Sequence, residues 1–213
     1  MQVDFLEANP AYGLVHTDYN IFYESENKIE RNYFQRDEGD IFQKLIIYNQ
    51  LGALTAMYRG ELGAKAIDSG IYEQGFLMED YPLWLYMALH SKIGYIHEVT
   101  AVWRKLNESI SNSLSLQKKL IFESSVYQVQ AYFLKHSTEY PATVQSLVKK
   151  HKRQLLLAYI HQLHTVGELS FSFLKKHKAL SLTDIKNYSG IKLPQVFKLF
   201  KSIKSTFSAS QSG

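Results

Sequence analysis

The chain has no cysteine in its 213 residues. That excludes disulfides, thiolate zinc sites, iron–sulfur clusters and a cysteine nucleophile together, and it agrees with a reducing compartment. Long apolar runs are also missing: the strongest, over 155–160, falls far short of the roughly 18 residues a spanning helix needs. The first residues, Met1, Gln2, Val3 and Asp4, lack the basic start and apolar stretch of a signal peptide, so the expectation is a soluble, cytosolic or cytosol-facing protein. A P-loop, a complete dinucleotide fingerprint and an internal repeat of about 20 to 50 residues are likewise absent, and nothing points to an ATP-driven enzyme.

What is present is a core-forming composition, with 46% hydrophobic residues, 15 Tyr and 12 Phe, which excludes a disordered or collagen-like chain. The length allows one domain or one and a half. Charge divides the chain: residues 1–112 hold 9 Lys or Arg against 16 Asp or Glu, and residues 113–213 hold 15 against 4. An acidic first part suits a site for cations or sugars, and a basic second part suits an anionic partner.

The first part reads as α/β. A helix end over 3–8 precedes a short strand over 13–17, a polar edge strand follows over 28–34, and Asp40 caps a helix that runs to about Asn49. A compact strand over 52–59, a small helix over 61–67, a helix opened by Glu79 and Asp80 with Pro82 in its first turn, and a strand or hairpin over 93–104 complete it. From Leu114 onward the pattern is helical, with amphipathic segments over 115–136 and 142–166. The expected division is therefore 1–112, a helical region over 113–190, and a basic amphipathic helix with a Ser-rich tail over 191–213.

The adjacent carboxylates Glu79 and Asp80 carry the most chemistry. A helix mouth favours acidic side chains through its unpaired N–H groups and dipole, and a carboxylate projecting from it can act as general base on an alcohol. The plainer reading, in which Asp80 only caps the helix and Glu79 is solvated, stays open, because acidic residues at helix starts are the rule. His161, His164 and Glu168 share one helical face without an apparent fourth metal ligand, and His16, His90 and His97 have no recognisable nucleophile partner.

The series Gly13-Leu-Val-His-Thr-Asp18, Gly39-Asp-Ile-Phe-Gln-Lys-Leu45, Asn49 with Gly52-Ala-Leu-Thr-Ala-Met57 and Arg59, Met78-Glu-Asp-Tyr81 with Leu83-Trp84, and Gly94-Tyr-Ile-His-Glu-Val99 leading to Trp103-Arg104 and Ser109-Ile-Ser111 resembles the second half of a family 2 glycosyltransferase. The resemblance covers about residues 1–112. It implies a partial GT-A-like mixed sheet with flanking helices, inverting transfer from a nucleotide-diphospho-sugar, Asp80 as general base, and Glu79 orienting acceptor or loop. Trp84, Arg104 and Asp18 are the implied substrate contacts, with Arg104 near the diphosphate. A divalent cation, Mg or Mn, is implied too, but the Asp-x-Asp motif that would hold it and the nucleotide-binding half around it do not occur in this sequence, and Lys105, Leu106 and Asn107 stand where many relatives place a His.

These departures keep two readings in view: the acceptor-side portion of a transferase of cell-surface polysaccharide type, using a glycan or lipid-linked acceptor, and a non-catalytic glycan- or protein-binding module. The tail over 192–207 gathers Leu193, Val196, Phe197, Leu199, Phe200, Ile203 and Phe207 on one side and Lys198 and Lys201 on the other, which suits either an anionic membrane surface on the cytosolic side or packing on its own domain. The aromatic and basic interleaving of a nucleic-acid-binding sheet is not evident in the sequence, which disfavours nucleic acid as a partner.

Overall fold

The computed structural model describes residues 1–32, 36–106, 116–136 and 142–150. The chain divides into two units, Met1–Lys152 and Arg153–Gly213; the described residues all belong to the first, and the 192–207 tail lies outside them. The first unit is mixed α/β. In order it runs α1 (Gln2–Ala8), β1 (Tyr12–Tyr23), β2 (Lys28–Arg31), α2 (Phe42–Leu45), β3 (Met57–Tyr58), α3 (Gly60–Asp68), α4 (Asp80–His90), β4 (Lys92–Lys105) and α5 (Leu116–His136), with a further helical stretch over 142–150. Among the described residues no helix is long and apolar enough to cross a membrane.

The four-stranded sheet is built on β1. Along one edge β1 pairs in parallel with β4, from Tyr12 opposite Lys92 to Tyr23 opposite Lys105. Its other edge is shared by two short antiparallel partners, β3 at Leu14 and Val15 and β2 from Asn20 to Tyr23. Register shifts between Thr17 and Tyr19 leave His97, Glu98 and Thr100 of β4 without partners on β1, an irregularity of the kind that bends a strand and re-aims its side chains.

Successive strand residues face opposite ways, and the two faces of the sheet are covered differently. At Gly94 the Phe5 ring of α1 lies so close that an added Cβ would stand 2.4 Å from it, so only glycine admits the helix. On the other face Leu14 and Ile93, both fully buried, join Leu85 and Met87 of α4 in the core. Helix α4 buries seven of its eleven residues, as a helix that is apolar nearly all round must. Pro82 sits in its first turn, where a missing N–H breaks no helical bond. Val129 and Phe133 of α5, with Val144 and Val148, belong to the same core, so the helices after residue 113 help close the first unit.

Three elements differ from expectation for local reasons. Gly39, at φ +84°, exchanges two backbone hydrogen bonds with Ile93 and so continues the sheet edge. The following helix consequently starts at Phe42 rather than behind an Asp40 cap, and it ends at Leu45. Over 52–59 only Met57 and Tyr58 pair as a strand, because Ala53–Thr55 forms a 3₁₀ turn. The Thr55 hydroxyl lies within hydrogen-bond distance of both the Thr17 and Gly52 carbonyls. The segment over 93–104 is one continuous strand, not a hairpin.

Candidate functional site

Glu79 and Asp80 stand at the mouth of α4, Glu79 as the residue before the first turn and Asp80 as the first helical residue. Glu79 is exposed and Asp80 half-buried. Asp80 Oδ1 accepts the Tyr81 N–H at 2.7 Å, so the side chain satisfies its own helix end with one oxygen. The helix cannot slide, because the buried Tyr81 hydroxyl reaches the carbonyls of Leu45 at 3.2 Å and Ile46 at 2.9 Å, and burial pushes that phenol well up.

Aromatic rings gather beside the carboxylates. Trp84, one helical turn beyond Asp80, is buried, and its ring meets that of Tyr58 edge-on at 6.3 Å. Tyr58 remains 41% exposed and lies over Gly63, where a Cβ would come within 2.7 Å of its ring. Tyr72 is also exposed; its phenol is raised first by burial and then by the Tyr58 phenol and the Glu79 and Asp80 carboxylates, which places those four side chains in one electrostatic neighbourhood. Glu79, Asp80 and Trp84 stand out in the sequence, whereas Tyr58 and Tyr72 do not: their only signal there is an aromatic residue in a Gly-bounded segment.

Asp18 belongs to a second cluster. On the face where Leu14 and Ile93 enter the core, the next positions are His16, Tyr95 and Asp18, all buried. Asp18 Oδ2 accepts the Tyr95 hydroxyl at 2.5 Å, and Arg36 Nε stands 3.4 Å from Oδ1. Arg36 also donates to the Gln50 carbonyl and lies over the Tyr19 ring at 5.5 Å. Burial and the Asp18 hydrogen bond push the Tyr95 phenol up to about 12. The His16 ring stacks on Tyr95 at 5.1 Å, and its nitrogens lack hydrogen-bond partners among the described residues. Burial foremost, then the Arg36 charge, pull its pKa down to about 4, against weaker opposing pulls from the Thr17 backbone and the Asp18 carboxylate.

Arg104 is apart from both groups. It projects from the end of β4, largely exposed, and pairs with Glu24. Val99 is the register partner of Asp18, and Arg104 lies five residues beyond it, roughly 16 Å along the strand. The structure thus brings Glu79, Asp80 and Trp84 together and sets Asp18 and Arg104 elsewhere. Among the described residues no three His, Asp or Glu side chains converge to hold a metal ion, and both Asp18 oxygens are engaged within the protein. The His161, His164 and Glu168 face lies outside the described residues.

No family model matches the chain, and no curated protein matches it.

Proposed function

We propose that this chain forms the acceptor side of an inverting glycosyltransferase, with Asp80 as the general base. The observation that carries the reading is the Glu79 and Asp80 pair at the mouth of α4 beside Tyr58, Tyr72 and Trp84, falling in the motif order that resembles a family 2 enzyme. Asp80 Oδ1 is occupied by its own helix, and Oδ2 faces no hydrogen-bond partner among the described residues. That oxygen takes the proton of an acceptor hydroxyl as the new bond forms at the anomeric carbon, while the nucleotide diphosphate leaves with the electron pair of the broken bond. Glu79, exposed beside it, orients the acceptor, and the Tyr58 ring offers an apolar face to a sugar ring.

The sequence holds no Asp-x-Asp motif, so the role proposed for the chain covers the acceptor alone. The test joins the chain to a nucleotide-binding half and follows sugar transfer from a panel of nucleotide-sugars. Asp80→Asn is expected to lower transfer by about 10² to 10⁴-fold, the usual contribution of a positioned base. Equal rates would remove Asp80 from the mechanism. The competing binding-module reading predicts no transfer even when the nucleotide-binding half is joined, so the same assay separates the two readings.

A further inference from the structure

We infer, resting on the acceptor-side reading, that Ser125 of α5 is a positioning residue for the Glu79 and Asp80 carboxylates, acting through the backbone of Leu77. Ser125 is buried at 3% exposure, and its hydroxyl accepts the Leu77 N–H at 2.8 Å across 48 residues of sequence. A backbone N–H in such a place needs a partner, and here a side chain of another helix provides it.

The stretch between the 3₁₀ turn at Ile71–Gln74 and α4 is held by this bond together with the side chains on either side of Leu77. It opens at Gly75, which sits at φ +70°. Phe76 meets Tyr132 of α5 edge-on at 5.9 Å, and Met78 is buried in the core. The side chain of Leu77 is 54% exposed, so its backbone bond, not packing, fixes that residue. Beyond the carboxylates the next anchor is Tyr81, tied to the end of α2, where Gln130 of α5 also donates to the Ile46 carbonyl at 2.6 Å. Glu79 and Asp80 therefore stand between the Leu77 backbone bond with the buried Met78 side chain on one side and Tyr81 on the other. Ser125, Val129 and Tyr132 recur at helical spacing, so one face of α5 both enters the core and holds the approach to the site.

Ser125→Ala removes the hydroxyl and little volume from a helix that tolerates alanine, leaving the Tyr81 anchor untouched. The neighbouring Ser124 hydroxyl is buried without a hydrogen-bond partner among the described residues and provides an internal control. The experiment follows Leu77 amide exchange and the ¹³C carboxyl resonances of Glu79 and Asp80 in the full chain. In Ser125→Ala the Leu77 amide is expected to exchange about five-fold faster, as loss of one ordinary hydrogen bond implies. The two carboxyl resonances move with it, while Ser124→Ala leaves both readouts unchanged and Ser125→Thr restores them. Unmoved carboxyl resonances, or an unchanged Leu77 exchange rate, would overturn the inference. The acceptor-side reading is judged separately by Asp80→Asn in the transfer assay, so either can fail without the other.

Discussion

The buried imidazole of His16 should make the stability of this fold depend on pH in a way that one substitution removes. Its folded-state pKa is about 4 against an ordinary 6.5, because the ring is buried beside the Arg36 guanidinium. The unfolded chain therefore binds the proton more readily than the folded one. The contribution is fully present above pH 6.5 and is lost as pH falls through 6.5 toward 4. A separation of about 2.5 pKa units at about 1.4 kcal/mol each sets a limit of about 3.5 kcal/mol, most of it already lost at about pH 4.5. Carboxylates titrate in the same window, so the comparison must be with a variant: His16→Phe keeps a ring on Tyr95 and removes the proton. Urea unfolding followed by tryptophan fluorescence, at steps from about pH 7.5 to 4.5, gives both curves. The native chain should lose about 2 to 3 kcal/mol more than His16→Phe over that range. Parallel curves would show that the imidazole is not held neutral by burial.

Two further outcomes are expected. Arg36→Met leaves the Asp18 carboxylate buried with half its support and should cost about 3 kcal/mol in urea unfolding, whereas Arg36→Met with Asp18→Asn should cost less than the sum of the single changes; additive losses would show that the pair is not coupled. The 192–207 tail, outside the described residues, is expected from its sequence to bring the chain onto anionic vesicles more weakly at high salt, and equal co-sedimentation by the full chain and a form ending at Gly190 would leave the tail as a packing helix.

Helix α4 is legible in the sequence because its start is written locally, in two acidic residues, a first-turn proline and an apolar run. Strand β1 continues to Tyr23, well past the apolar stretch that closes at Thr17, because β2 and β4 pair with its two edges from Asn20 onward and hold polar residues in extended backbone. Helix α2 is shorter than its periodicity suggests for the converse reason, as Gly39 is claimed by the sheet and the last carbonyls are taken by Tyr81 and Gln130. The Asp18 cluster has no local signal: its partners lie 18 and 77 residues away, and only closure of the fold brings Arg36 and Tyr95 to one carboxylate. Ser125 is invisible for the same reason, being one serine among many until Leu77 meets it.

The pairing of β1 with β4 also bears on how the chain acquires its structure. These strands run side by side from Tyr12 and Lys92 onward, about 80 residues apart, and parallel neighbours at that separation form only after a costly loop closure. During synthesis the apolar start of β1 emerges long before β4 can cover its edge, and β3 and β2 together shield only the other side. Refolding should therefore be governed by this late contact, and in the interval the open edge of β1 is the segment most exposed to pairing with another chain.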